Sequence, residues 1–152
     1  MSVDTDYVLG THDAEISRLH LQHGIWQTLV HDCWARAGIM RGQHVIDIGC
    51  GPGFASVDLA EVVGPQGWVT GIERSERFIA HAEALSASRG LNNVSFQHAD
   101  VMLDALAVEG ADAIWCRWLA IFVSDPALLV RKMAAALKPG GRLVFHEYVH
   151  YE

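Results

Sequence analysis

The sequence predicts an α/β domain: a mostly parallel sheet with helices on both faces. Three observations carry that expectation. Short β-rich apolar runs alternate with segments of helical spacing, Gly, Pro and capping residues mark the junctions, and a glycine-dense turn stands where the first strand meets a helix. The 152 residues are 51% hydrophobic, enough to bury one sizeable core and too few for two ordinary domains.

Taken in order, residues 14–37 carry Ile16, Leu19, Ile25 or Trp26, Leu29, Cys33 and Ala37 at near-helical intervals. Thr11 or Asp13 is the expected cap, Gly38 the stop, and Gly24 a candidate break into two helices. HVIDIG at 44–49 is a strand ending in glycine, and FASVDLAEVV at 54–63 is a helix closed by Gly64-Pro65. A strand at 68–73, a helix from a Ser75 cap to a Gly90 stop, and a strand at 94–98 repeat the pattern. Residues 111–118 form a fully buried strand, and Ser124-Asp125-Pro126 opens a helix with proline at its first position. Lys138-Pro139-Gly140-Gly141 ends that helix before a fifth strand at 142–148. One boundary is expected near 38–42, between an N-terminal helical cap (1–40) lying over the ligand edge and the α/β core (41–152).

Charge and cysteines narrow the partners. A formal charge of −7 and a pI near 5.6 leave no global positive field for phosphates, so a nucleic-acid partner is not expected. Cys33, Cys50 and Cys116 are odd in number and form no CxxC pair, which fits a reducing, cytoplasmic compartment. The acidic N-terminus lacks a basic-then-apolar leader, and no run of about 18 apolar residues occurs, so neither export nor a membrane span is expected.

Asp47-Ile48-Gly49-Cys50-Gly51-Pro52-Gly53 falls at the carboxyl edge of the expected sheet, where open α/β sheets bind ligands. Glycines there admit unusual backbone angles and a close ligand approach, and the following helix turns free N–H groups toward a carboxylate or phosphate. A dinucleotide fingerprint requires a third glycine where this sequence has Phe54, so the spacing disfavours NAD. Glu73 ends the second strand about 20 residues beyond the turn, where a carboxylate accepts from vicinal ribose hydroxyls.

These residues resemble the class I S-adenosylmethionine-dependent methyltransferases, whose first motif has the form of VIDIGCGPG at 45–53. The likeness continues through His98-Ala99-Asp100-Val101, Trp115-Cys116-Arg117-Trp118 and LKPGGRLVF at 137–145, and covers roughly residues 42–148. It implies a Rossmann-like three-layer αβα sandwich in which Asp47 and the Gly49, Cys50, Gly51 and Gly53 turn hold the methionine part of S-adenosylmethionine. Glu73 would bind the ribose hydroxyls, with Ile72 and Arg74 flanking ribose and adenine, and Asp100 and Val101 would meet the adenine. Taken singly, Glu73 is equally compatible with a solvated strand end and Asp100 with a helix cap; their joint placement favours the cofactor. Cys116, Arg117 and Trp118 would line the junction between cofactor and acceptor, Trp118 against an apolar acceptor. The product would be S-adenosylhomocysteine.

The N-terminal YVLG and its helix are similar to the cap of small-molecule methyltransferases of the ubiquinone and menaquinone type. Tyr7, Arg18 and Trp26 are then candidate lid contacts, with core packing for Trp26 and a surface ion pair for Arg18 as the plainer roles. No [DNS]PP[YFW] segment follows the fourth strand, which sets aside the amino-methylating nucleic-acid enzymes.

HEYVH at 146–150 matches the HExxH zinc signature, but it follows GGRLVF and is expected to be extended, separating its histidines by roughly 13 Å. No metal is expected. His146 and Glu147 are candidates for a catalytic base by location only, ordinary strand-end residues being the plainer reading. Members of the resembled family continue with another helix and an antiparallel strand pair, whereas this chain stops after the fifth strand. The core is therefore expected to be incomplete, with its fifth strand an exposed edge, open to association with a further copy, or else covered by another chain or by the N-terminal helices. Besides a small-molecule methyltransferase, a non-catalytic cofactor-binding domain and, more weakly, an NAD-dependent oxidoreductase remain as alternatives.

Overall fold

A computed structural model describes residues 9–148. The alternation of strand and helix becomes α1 (Asp13–Arg36), β1 (His44–Ile48), α2 (Phe54–Val63), β2 (Trp68–Glu73), α3 (Glu76–Ser88), β3 (Val94–His98), β4 (Ala111–Arg117), α4 (Pro126–Ala136) and β5 (Leu137–His146). Local chemistry sets the helix starts. The Ser75 hydroxyl accepts from the Phe78 N–H at 3.3 Å, and Asp125 Oδ1 accepts from the Leu128 N–H at 2.9 Å with Pro126 at the head of α4. By contrast, α2 has no side-chain cap. Its Ncap is Gly53 at φ 89°, which leaves the first-turn N–H groups of α2 without a capping side chain.

The five strands are parallel, in the order β3-β2-β1-β4-β5, so chain direction across the sheet reverses between β1 and β4. Strand side chains alternate between two apolar layers. Val45, Ala113 and Trp115 join Val30 and Trp34 of α1 and Leu59 and Val63 of α2; Ile46, Ile48, Ile114 and Cys116 join Leu129 and Met133 of α4. Both faces of the sheet are thereby covered, which gives the three-layer αβα sandwich. On the far side, β5 pairs with β4 alone and is the outermost strand among the described residues.

Several local expectations are corrected. α1 runs unbroken through Gly24, and its cap is His12, whose Nδ1 accepts from the Glu15 N–H at 3.1 Å. Its buried positions are Glu15, His23, Val30 and Trp34, whereas Ile25 is 72% exposed and Leu29 also faces solvent. The reason is a buried carboxylate on α2. Asp58 accepts from Gln27 Nε2 and bonds His23 Nε2, both at 2.9 Å, and also meets His31 Nε2 at 3.2 Å, so α1 docks by a polar row at i, i+4 and i+8. Arg89 of α3 closes the group at 3.0 Å.

The KPGG segment does not precede β5 but lies within it. Leu137 pairs with Ala111 and Arg142 with Ala113, and the residues between bulge outward, where Pro139 has no N–H to donate and Gly140 has φ 80°. Between β3 and β4 the chain crosses without a helix.

Candidate functional site

A cavity of about 440 Å³ opens at the carboxyl ends of β1, β2 and β4, beside the point where strand order reverses. Its size falls in the range of roughly 300–1,000 Å³ usual for small-ligand sites. Of the residues singled out from the sequence, Gly49, Cys50, Gly51, Glu73, Arg74, Asp100, Val101, Arg117 and Trp118 all line it. Asp47, Gly53, Cys116, His146 and Glu147 do not.

The three turn glycines do different work. A Cβ on Gly53 would lie 2.5 Å from the Ala82 Cβ and 2.9 Å from its Cα, so this glycine lets α3 pack against the turn. On Gly49 a Cβ would meet the Leu119 side chain at 2.9 Å. Gly51 alone of the three faces open space, with nothing within 4 Å and φ 55°. Its N–H donates to Glu73 Oε2 at 2.9 Å, while Oε1 accepts from the Arg74 and Ser75 N–H groups, each at 2.9 Å. Burial raises the Glu73 pKa above its ordinary value, opposed by these three N–H bonds. They fill three of about four lone-pair positions and leave Oε2 room for another donor from the cavity.

At the β3 end, Asp100 does what a turn residue would: Oδ1 accepts from the Met102 N–H at 2.8 Å. Its carboxylate also stands 3.9 Å from the Arg74 guanidinium on the cavity rim. Asp47 lies beneath the turn, 2% exposed, and accepts from the Ser56 hydroxyl at 2.6 Å. Burial pushes its carboxyl up to about 6, opposed by that hydroxyl and by the charge of Arg117. The Cys50 and Cys116 thiols are likewise pushed up by burial, which makes them poor nucleophiles.

Arg117 ends β4, with both terminal nitrogens 3.2 Å from His23 Nδ1 and its guanidinium 4.8 Å over the Trp118 ring. Trp118 is the one non-glycine with positive φ, 50°, among the described residues, and its buried Nε1 has no partner there. Its ring stacks on Tyr148 at 5.4 Å and stands edge-on to Trp26 at 6.4 Å. Glu147 does not line the cavity. Its Oε1 accepts from the Leu119 and Ala120 N–H groups at 3.0 and 2.9 Å, clasping the loop after β4 that forms the cavity wall. Burial raises the Glu147 pKa, while burial and the charge of Arg117 lower that of His146.

Sequence reading missed the apolar wall of Met102, Leu119 and Phe122, because loop residues show no periodicity, and gave Leu19 of α1 only as a helix position. Phe54, the first residue of the expected helix and the departure from a dinucleotide pattern, lines the cavity and stacks on His20 at 4.8 Å. Arg18 bonds Glu15 through Nε and Nη2. Tyr7 and His150 lie outside the described residues, and among those described no three His, Cys, Asp or Glu side chains are grouped so as to hold a metal ion.

A cavity at such a switch point, floored by a glycine turn and flanked by an acidic strand end, is the mark of the doubly wound nucleotide-binding folds. Within that class, residues 39–152 match the methyltransferase domain family, to which the chain belongs. It is 35% identical over 106 residues to a ubiquinone biosynthesis O-methyltransferase of Coxiella burnetii, covering 70% of this chain and 44% of that protein. The crystal structure of coclaurine N-methyltransferase bound to N-methylheliamine and S-adenosylhomocysteine matches with a TM-score of 0.72 at 29% identity, over 78% of this chain and 35% of that one. The [4+2]-cyclase SpnF matches with a TM-score of 0.71 at 29% identity, over 79% and 44%. The chain thus spans less than half the length of each of these three proteins.

Proposed function

We propose that this chain binds S-adenosylmethionine in the cavity and, in its working form, transfers the methyl group to a small-molecule acceptor. The single observation that carries the reading is the pairing of Gly51, open toward the cavity, with Glu73, whose Oε2 keeps room for a ribose hydroxyl. Asp100 and Val101 flank the adenine end; Gly49, Cys50 and the uncapped head of α2 face the amino-acid end. Asp47 supports the turn from below through Ser56 rather than from the cavity.

The bound cofactor supplies an electrophilic methyl group. The chain's part is to position the nucleophile in line and to exclude water, for which the Met102, Leu119 and Phe122 wall and the Trp118 ring are suited. That wall favours an apolar acceptor, in keeping with the name of the quinone-pathway relative. α1, covering the sheet edge through Leu19, acts as the cap. The −7 charge argues against a nucleic-acid substrate. Three free cysteines suit a reducing, cytoplasmic setting, and no helix among the described residues is long and apolar enough to cross a membrane.

Calorimetric titration with S-adenosylmethionine, S-adenosylhomocysteine and NAD tests the proposal. Micromolar binding of the first two, lost in Glu73→Ala, is the expected result; preferential NAD binding, or no binding by a folded chain, overturns it. A second reading, cofactor binding without methyl transfer, is favoured by the likeness to a cyclase and by the placement of His146 and Glu147 off the cavity. Turnover with quinol, phenol and amine acceptors separates the two.

A further inference from the structure

The polar row of α1 meets the cavity-lining Arg117 through its one buried member. His23 is 5% exposed and lies between two groups of opposite demand: Asp58 Oδ2 at 2.9 Å from Nε2, and both terminal nitrogens of Arg117 at 3.2 Å from Nδ1. A guanidinium has donors only, so Nδ1 must accept and the imidazole is the neutral, Nε2-protonated tautomer. Asp58 fixes that tautomer by accepting the Nε2 proton. Asp58 is itself held as a carboxylate. Burial opposes its ionisation, but hydrogen bonds from His23, Gln27 and His31 outweigh the burial and hold its carboxyl well below the ordinary value.

Arg117 is thus held by a neutral ring rather than a carboxylate, and among the described residues it forms no ion pair. A guanidinium carries five N–H donors, and two here share one acceptor, so donors remain for a ligand on the cavity wall that Arg117 lines. The carboxylates lining the cavity, Glu73 and Asp100, stand at the β2 and β3 ends, across the glycine turn from Arg117. A ligand whose ribose lies at Glu73 turns its other end toward the guanidinium.

We propose that His23, locked by Asp58, is a positioning residue that aims the Arg117 guanidinium at the carboxylate of the cofactor's amino-acid end. Through it, α1 does more than cover the cavity: docking of the cap and readiness of the carboxylate contact become one event. The proposal rests on the cofactor reading above.

Two probes isolate it: S-adenosylhomocysteine, which has the carboxylate, and 5′-methylthioadenosine, which has the adenosine and sulfur but no amino-acid end. In His23→Phe, close in shape but unable to bond either neighbour, affinity for S-adenosylhomocysteine should fall tenfold or more and that for methylthioadenosine stay within twofold. His23→Gln, with one acceptor and one donor, should recover part of the loss. Arg117→Met should show the same selective loss, and adding His23→Phe to it should cost less than twofold more, because the histidine acts through the arginine. Unchanged S-adenosylhomocysteine binding in His23→Phe overturns the proposal, as does an equal loss for both probes or additive losses in the double variant. Wild-type chain that binds neither probe refutes the cofactor reading instead.

Discussion

Replacing Gly51 and Gly53 separately by alanine separates ligand space from packing space within one turn. At Gly53 the new methyl meets α3 at 2.5 Å from the Ala82 Cβ and 2.9 Å from a backbone atom, at φ 89°. Left-handed backbone costs an L-residue about 1–2 kcal/mol. Forcing two packed helices apart adds about 1–3 kcal/mol. The sum, about 2–5 kcal/mol, is a large part of the roughly 5–15 kcal/mol that holds a domain folded. At Gly51, with φ 55° and nothing within 4 Å, only the backbone cost applies, about 1–2 kcal/mol, but the methyl projects where the ligand would pass. Urea unfolding and calorimetric titration of the two variants should therefore give opposite rankings. Gly53→Ala should lose far more stability; Gly51→Ala should fold nearly normally yet bind S-adenosylhomocysteine at least tenfold more weakly. Normal binding by Gly51→Ala, or a loss below about 1 kcal/mol in Gly53→Ala, would refute this division of labour.

Asp47 makes stability fall as pH rises, because burial lifts its carboxyl from 3.8 to about 6 and the folded state holds the proton longer than the unfolded chain. The cost is absent below about pH 4 and complete above about pH 6, reaching about 3 kcal/mol at 1.36 kcal/mol per pKa unit. Asp47→Asn should thus match the wild type in urea at pH 4 and exceed it at pH 8; a pH-independent difference would contradict the assignment. For the edge, β5 pairs on one side only among the described residues and Phe145 is 39% exposed, so we propose self-association there. Light scattering should give a mass above 16.7 kDa for the wild type and the monomer mass for Phe145→Lys, and equal monomer masses would remove the proposal.

The α/β core was legible because its signals are local. Strand starts from β1 to β4, the Ser75 and Asp125 caps and the Gly64 stop depend on neighbours in sequence, and these lie where the pattern put them. α1 was legible as a helix but not in its orientation, because hydropathy assumes that the buried face is the apolar one. Here Asp58 supplies a buried charge that rewards His23, Gln27 and His31 instead, and Ile25 is left in water. The KPGG turn misled for a related reason. Proline and glycine announce a break in the ladder without saying whether the strand ends there or bulges and continues, and only pairing with β4 decides.

The same limit governs the site. Spacing located the glycine turn and Glu73 together, since both sit at strand ends whose order the sequence fixes in advance of any contact. It could not say which glycine faces open space, because Gly51 and Gly53 differ only in what stands opposite them: nothing within 4 Å for one and Ala82 for the other. Nor could it connect His23 to Arg117, which are 94 residues apart and meet only because α1 lies across the end of β4. Positions read from local pattern are therefore the ones set by strand ends and turns, and contacts between distant elements such as His23 and Arg117 emerge only from packing. The proposed His23 variants probe that second set.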